Sequence, residues 1–155
     1  MLTEGVNAPS FNLPNQNDET ITSDTYSGKA YVVFFYPRDN TSGCTKENID
    51  FNDMKSAFDA LDVSLIGVSR DSVKSHEKFA NKLELSFPLL ADTDEVMCND
   101  YGVLVEKSMY GRKYMGIDRS TFLINAQGQI THIWRKVKVP GHVEAVLAAA
   151  KTLVE

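Results

Sequence analysis

Cysteine is scarce in this chain of 155 residues, where it occurs only as Cys44 and Cys98. Two thiols are too few for a disulfide-stapled secreted scaffold, and they are consistent with a reducing compartment. They also exclude a thioredoxin-like Cys-x-x-Cys pair, because neither cysteine has another one three positions away. Any thiol chemistry must therefore come from these two residues.

Long apolar runs are also missing. The longest, residues 30–36, is far short of the roughly 20 residues that a membrane-spanning helix needs. The sequence begins Met-Leu-Thr-Glu and does not show the basic and then apolar segment of a secretory signal. We therefore expect a cytoplasmic protein without a membrane partner.

Basic residues are outnumbered by acidic ones. The 16 Lys and Arg against 21 Asp and Glu give a formal net charge of -5, so no general attraction to nucleic acid or to an anionic membrane is expected. Hydrophobic residues make up 43% and charged residues 24%, which is typical of a folded globular chain. The length fits one domain, and no repeat or linker divides it, so we expect a single domain over residues 1–155.

The apolar pattern predicts alternating strands and helices. Residues 30–36 are β-branched and aromatic, which predicts a central strand buried on both faces. Apolar residues recur at helical spacing in residues 44–61 and 72–83. The other predicted elements are a strand at 63–68, a short helix at 94–101 before Gly102, a hairpin of 121–124 and 129–134, and a helix at 142–153. This order predicts an α/β fold with a mixed central sheet and helices on both faces.

The loop between the first predicted strand and helix, residues 37–44, is the candidate site. Ligands of α/β proteins bind beyond the carboxyl ends of strands, where this loop lies. Cys44 is expected in the first turn of the following helix, where free N–H groups and the helix dipole favour a thiolate. The competing interpretation is a buried structural cysteine, and the polar composition of the loop argues against it.

This loop resembles the active-site motif of the peroxiredoxins, which reads Pro, three residues, Thr or Ser, two residues, Cys. Pro37, Thr41 and Cys44 match the motif in register. The resemblance to the bacterioferritin comigratory or Q-type branch runs from residues 5–9 through 107–119 to the C-terminus. It implies a thioredoxin fold with an N-terminal extension. It also implies a thiol peroxidase that works without a metal or an organic cofactor.

The resemblance also implies a role for each residue of the site. Cys44 attacks a peroxide oxygen and becomes a sulfenic acid, which an external thiol reduces. Arg119 supplies a permanent positive charge to the thiolate and the peroxide, while the Thr41 hydroxyl and the Cys44 amide donate hydrogen bonds. Pro37 shields the pocket. Taken singly, Arg119 is an ordinary surface charge and Pro37 a strand terminator, so their joint register with Cys44 is what supports these roles.

The sequence departs from the family pattern at two places. Ser42 stands where many relatives have proline, and its hydroxyl is expected to cap the helix without loss of chemistry. The positions that commonly hold a resolving cysteine are Ile49 and Ala80 here. Cys98 is the remaining candidate, and its alternative is a buried apolar helix residue. We predict a one-cysteine cycle; the alternative is a cycle in which Cys98 resolves and thioredoxin is the reductant.

The expected partners are small peroxides and thiols. Hydrogen peroxide or an organic hydroperoxide is the substrate, and thioredoxin, glutaredoxin or glutathione is the reductant. We expect a monomer, with a weak dimer as the alternative. The rival function is a non-enzymatic redox sensor, in which Cys44 oxidises once and changes a partner interface.

The histidines do not suggest a metal centre. His76, His132 and His142 are widely spaced and do not resemble a zinc ligand set. We expect them on the surface or in packing. A cysteine protease needs a histidine base for Cys44, and nothing in the local sequence supports one.

Overall fold

A five-stranded mixed sheet lies at the centre of the computed structural model, which describes residues 2–153. In chain order the strands are β1 (Asn12–Pro14), β2 (Thr20–Thr22), β3 (Ala30–Phe35), β4 (Val63–Ser69), β5 (Leu89–Ala91), β6 (Leu104–Met109), β7 (Arg112–Ile117), β8 (Ser120–Ile124) and β9 (Ile130–Trp134). The helices are α1 (Ser42–Asp53), α2 (Lys55–Ala60), α3 (Val73–Leu83), α4 (Val96–Asp100) and α5 (His142–Thr152).

The central sheet has the strand order β5-β4-β3-β8-β9. Strands β3, β4 and β5 are parallel, whereas β8 is antiparallel to β3 and β9 is antiparallel to β8. Two separate hairpins, β1–β2 and β6–β7, lie outside it. The β1–β2 hairpin precedes the sheet and forms the expected N-terminal extension.

Strand β3 divides the core into two apolar clusters. Val32 and Phe34 belong to one cluster, and Val33 and Phe35 belong to the other, because successive side chains of a strand point to opposite faces. All four are fully buried. Residues of α1, α2, α3 and α5 cover the first face, whereas α4 and the N-terminal segment cover the second. The predictions of a buried central strand and of a mixed sheet with helices on both faces are confirmed.

The predicted helix at 44–61 is wrong in its bounds and in its continuity. Helix α1 already begins at Ser42, and the chain leaves the helical conformation at Met54 before α2 starts. Met54, Phe58 and Leu61 all pack against the same apolar cluster on both sides of this break. The apolar periodicity continues across Met54 although the helical conformation is interrupted there, so the sequence pattern did not reveal the break.

Five strands were not predicted, namely β1, β2, β5, β6 and β7. Strands β1, β2 and β5 have three residues each, too few to show a period. The β6–β7 hairpin turns at Tyr110 and Gly111, both with positive φ, and its exposed strands mix charged and apolar residues. Gly102 has φ +66° after α4, as its predicted role at the end of a helix requires. None of the helices in residues 2–153 has the length and apolar content needed to cross a membrane.

Candidate active site

The candidate loop joins the carboxyl end of β3 to the first turn of α1. Thr41 is the N-cap residue, and Cys44 is the third residue of α1. The amides of this first turn have no acceptor within the helix, so they present donors beside the sulfur. The expected position of Cys44 at a helix N-terminus is confirmed.

The side chain of Cys44 is fully buried, contrary to the inference from the polar loop. The loop residues Arg38, Asn40 and Thr41 are exposed, whereas Cys44 packs in the cluster that contains Phe34. Because α1 covers the sheet, the residue on its inner side points away from solvent even in the first turn. The cysteine is therefore both buried and placed where its chemistry is favoured.

Arg119 is the cation of the site. It immediately precedes β8, and the pairing of Ser120 with Phe35 brings it to the end of β3, beside the loop. Its Nη2 donates to Cys44 Sγ at 3.4 Å, and its Nη1 donates to Glu47 Oε1 at 2.6 Å. One guanidinium fork thus joins the sulfur to a carboxylate.

Glu47 is a site residue that the sequence analysis missed. It lies one helical turn after Cys44, on the same face of α1, and is fully buried. Burial raises the pKa of Glu47 to about 7, although the charge and hydrogen bond of Arg119 act to lower it. Its Oε2 has no hydrogen-bond partner within residues 2–153. A glutamate three residues after the candidate nucleophile was the available signal.

The guanidinium of Arg119 contacts both Glu47 and Cys44. Partial burial acts to lower the pKa of Arg119, but the charges of Glu47 and Cys44 outweigh it and hold this pKa above its usual value. Arg119 remains cationic in either case. The site can therefore keep a positive charge against the sulfur while excluding most of the solvent that screens it.

Gly43 is a second residue that the analysis missed. A Cβ at this position lies 3.1 Å from Arg119 Nη2, which is closer than side chains normally pack. Glycine thus leaves the space in which the guanidinium approaches Cys44. The requirement is steric, because Gly43 does not have a positive φ.

The structure places two loop residues, Ser42 and Thr41, differently from what the sequence predicted. The helix begins at Ser42, so the predicted capping role of Ser42 is wrong; the N-cap is Thr41, and its hydroxyl does not cap either. The Thr41 hydroxyl donates to the Arg38 carbonyl at 2.8 Å. Its predicted donation to a peroxide requires rotation away from that carbonyl. Pro37 is partly buried just beyond β3, and its shielding role stays a prediction.

A buried polar network holds the candidate loop against α3. The Asp39 carboxylate accepts hydrogen bonds from the hydroxyls of Tyr36 (2.7 Å) and Ser75 (2.8 Å) and from His76 Nδ1 (2.8 Å). The other ring nitrogen of His76, Nε2, lies 2.9 Å from the Leu90 carbonyl oxygen, so both ring nitrogens have polar partners. His76 is thus fully buried and polar, not a surface residue. Both oxygens of the Asp39 carboxylate therefore have protein hydrogen-bond partners.

Replacing His76 by alanine is expected to lower the free energy of unfolding by about 3 kcal/mol, because it leaves a cavity at a fully buried position and removes a hydrogen-bond partner of the buried Asp39 carboxylate. Ser75→Ala is the matched control, since it removes one neutral donor to the same carboxylate and should cost only about 1 kcal/mol. Urea unfolding followed by circular dichroism measures both. Equal, small losses in the two variants would show that the His76–Asp39 contact does not hold the loop.

Cys98 occupies the opposite face of the sheet from Cys44. It lies on α4 in the cluster of Val33 and Phe35 and is fully buried. Its backbone N–H donates to Asp92 Oδ2 at 2.7 Å. Burial, followed by the hydrogen bond and charge of Asp92, raises the pKa of the Cys98 thiol far above its usual value. Cys98 is therefore a poor nucleophile in this conformation, and the central sheet separates it from Cys44.

The chain resembles proteins of one family over nearly its full length. The sequence model of the AhpC/TSA family matches residues 5–133. Peroxiredoxin Bcp of Xanthomonas campestris is 47% identical over 146 residues, which cover 93% of this chain and 91% of that protein. Peroxiredoxin Bcp of Bacillus subtilis is 43% identical over 151 residues, covering 97% and 96%.

Solved structures also resemble this chain over nearly its full length. The structure of a PrxQ mutant from Xylella fastidiosa matches with a TM-score of 0.94 at 38% identity, covering all of this chain and 99% of that one. The bacterioferritin comigratory protein of Xanthomonas campestris matches with a TM-score of 0.89 at 45% identity, covering 94% and 92%.

Proposed function

The chain belongs to the AhpC/TSA family and is a peroxiredoxin, a thiol-dependent peroxidase of thioredoxin-like fold, and we propose that Cys44 is its peroxidatic nucleophile in a one-cysteine cycle. One observation carries the assignment of the residue. Arg119 Nη2 lies 3.4 Å from Cys44 Sγ at the first turn of α1, so a permanent cation and helix amides surround this sulfur. Cys98 is also the third residue of its helix, but the Asp92 carboxylate accepts from the Met97 and Cys98 amides there, and no cation contacts its sulfur within residues 2–153.

The oxidative step moves two electrons from sulfur to the peroxide. The Cys44 thiolate attacks the terminal oxygen of ROOH, an S–O bond forms and the O–O bond breaks. Sulfur is oxidised to a sulfenic acid, and the leaving alkoxide takes a proton to become ROH. Negative charge spreads from sulfur over both oxygens in this transition state, which Arg119 and the first-turn amides of α1 stabilise.

The reductive step needs two thiols from outside the chain. One reductant thiolate attacks the sulfenic sulfur and forms a mixed disulfide, and the hydroxide that leaves takes a proton from solvent to become water. A second thiol then attacks the reductant sulfur of that disulfide, which restores the Cys44 thiol and leaves the reductant oxidised. Thioredoxin, glutaredoxin and glutathione are reductants of this chemistry.

The substrates are hydrogen peroxide and organic hydroperoxides. The Xanthomonas campestris relative is described by its alkyl peroxide reduction activity, which supports the organic class. The low cysteine content supports a reducing, cytoplasmic setting, and we include a monomeric state in the proposal.

The experiment that tests the cycle is a mass spectrum of the protein after one equivalent of hydrogen peroxide without reductant. We expect one added oxygen, trapped by dimedone on Cys44. Loss of two hydrogens through a Cys44–Cys98 disulfide would overturn the one-cysteine cycle and leave the peroxidase intact. Consumption of only one equivalent of peroxide in excess dithiothreitol would instead support the redox sensor.

Cys98→Ser is expected to turn over peroxide at the wild-type rate with dithiothreitol and with thioredoxin. A disulfide needs Cα atoms within roughly 7 Å of each other, whereas the two cysteines lie on opposite faces of the sheet. Steady-state peroxide consumption with each reductant measures this. A selective loss of the thioredoxin-supported rate would show that Cys98 takes part.

A further inference from the structure

The β6–β7 hairpin exposes apolar side chains that the fold leaves uncovered. Within residues 2–153 its two strands pair only with each other. Tyr110 at the turn is 98% exposed, and Met109, Tyr114 and Met115 are 57%, 43% and 51% exposed. A lone two-stranded hairpin is marginally stable in water. Burial of these side chains against a partner would therefore stabilise the hairpin. Tyr, Met and Arg are also the residues enriched in protein interfaces.

The strand register divides the charges of the hairpin between its faces. Met109 pairs with Arg112, and Lys107 pairs with Tyr114, so these four side chains share one face. Arg112 has no carboxylate partner within residues 2–153, whereas Lys113 on the other face lies 3.6 Å from Glu106. We name Met109, Tyr110, Arg112 and Tyr114 the hairpin surface. It is apolar and cationic.

The hairpin is a positive feature on a negative protein. Residues 104–117 hold three of the 16 basic residues and one of the 21 acidic ones, a net charge of +2. Because the total formal charge is -5, the residues outside 104–117 carry a net charge of -7. An acidic partner is repelled by most of this chain and attracted at the hairpin and at the basic run 135–138, whose Val137 N–H donates to the Arg119 carbonyl, so charge favours a contact on this side of the protein.

The hairpin surface lies within reach of the active site. Strand β7 leads through Asp118 directly to Arg119, which contacts Cys44 Sγ. From Arg112 to Ile117 the strand spans roughly 17 Å at 3.3 Å per residue. A protein contact of about 800 Å² on one partner has a radius of roughly 16 Å, so one docked protein can cover both the hairpin and the approach to Cys44. Redox encounters are smaller, at about 600 Å² or less on one partner, which still corresponds to a contact roughly 28 Å across.

A second copy of this chain fits the surface poorly. A two-fold dimer through the hairpin would bring Arg112 against its own copy and place two positive hairpins together. A head-to-tail contact with the acidic body of a copy would extend into a ring or a filament and would not give the expected monomer or weak dimer. Neither objection applies to a different, acidic protein.

We propose that the hairpin surface docks a protein dithiol reductant whose reactive thiol is surrounded by acidic and apolar residues. This inference rests on the proposed function, because the reductant supplies the two thiols that return the Cys44 sulfenic acid to the thiol. Tyr110 and Met109 contact the apolar rim of the reductant, and Arg112 pairs with its carboxylates. Small thiols need no docking and bypass the surface.

The test is the double variant Tyr110→Ser, Arg112→Glu, compared with Lys113→Glu, which reverses a neighbouring charge on the opposite face. Peroxide turnover is measured with dithiothreitol and with bacterial thioredoxin and glutaredoxin, each with its own reducing system. For whichever protein reductant supports the wild type, we expect kcat/KM of the double variant to fall at least tenfold. The dithiothreitol rate should stay within twofold of wild type, and Lys113→Glu should retain most of its protein-supported rate. Wild-type kcat/KM should also fall with added salt more steeply than that of the double variant.

Several results would overturn the docking surface. These are an unchanged protein-supported kcat/KM in the double variant, an equal loss in Lys113→Glu, and turnover with dithiothreitol but with neither protein. Cosedimentation with phosphatidylglycerol vesicles that the double variant abolishes, with unchanged thioredoxin and glutaredoxin kinetics, would assign the surface to membranes. A wild-type protein without dithiothreitol-supported turnover would overturn the proposed function itself.

Discussion

Cys44→Ser is expected to abolish peroxide turnover, with a loss of at least about 1,000-fold in kcat. Serine keeps the size of the side chain and the contacts of a fully buried position, so the fold should survive. Its hydroxyl is not ionised near neutral pH, and the charge of Arg119 at 3.4 Å does not change that enough to create a nucleophile. Consumption of hydrogen peroxide in excess dithiothreitol measures the loss.

Cys98→Ser is the matched control, because it makes the same chemical change at the other buried cysteine. Circular dichroism and thermal unfolding of both variants separate a chemical effect from a folding effect. Turnover retained in Cys44→Ser, or lost in a folded Cys98→Ser, would contradict the assignment of Cys44 as the nucleophile.

The parts of the fold that were predictable are those with a strong local signal. The run at 30–36 is apolar at every position, and the structure buries Tyr31 to Phe35 on both faces of the sheet. Cys44 follows a strand-to-loop transition and precedes a helical pattern, so its place in the first turn of α1 could be read from neighbouring residues. Short strands such as β5 carry too few residues for such a signal.

The contacts within the site were less predictable, because they join residues distant in sequence. Arg119 and Cys44 are 75 positions apart, and family resemblance, not local pattern, placed them together. Glu47 is one of only two buried polar residues on α1, the other being Asn48, and nothing in the local sequence distinguishes it from the polar residues that are not buried. Asp39 and His76, 37 positions apart, meet only because α3 packs against the loop after β3.

The separation of the two cysteines followed from a tertiary feature as well. The sequence showed that Ile49 and Ala80 are not cysteines, but it did not show on which face of the sheet Cys98 lies. The alternation of β3 side chains between two clusters supplies that information. The one-cysteine proposal therefore rests on the positions of the two cysteines in the fold as well as on the absence of cysteine at Ile49 and Ala80.

Arg119→Ala is expected to slow the attack of Cys44 on hydrogen peroxide about 100-fold, which corresponds to about 2.7 kcal/mol of barrier. The guanidinium donates to the sulfur, and its charge gains most when negative charge moves onto the peroxide oxygens. Losing Arg119 also raises the pKa of Glu47 further, because Arg119 acts to lower it. Glu47 therefore takes up a proton instead of remaining a buried, unpaired charge, and the variant should stay folded.

Two further variants show whether the effect belongs to the cation or to its contact with Glu47. Arg119→Lys keeps the charge but loses the fork that reaches Cys44 and Glu47 together, so we expect an intermediate rate. Glu47→Gln keeps a hydrogen-bond acceptor for Arg119 and removes the competing negative charge, so the attack should not slow by more than a few-fold if the cation acts on the reacting atoms. Single-turnover quench of the reduced enzyme with peroxide, read as sulfenic acid by mass spectrometry, measures the step without the reductant. An unchanged rate in Arg119→Ala, or a loss in Glu47→Gln as large as that in Arg119→Ala, would show that Arg119 supports the helix and does not act on the peroxide.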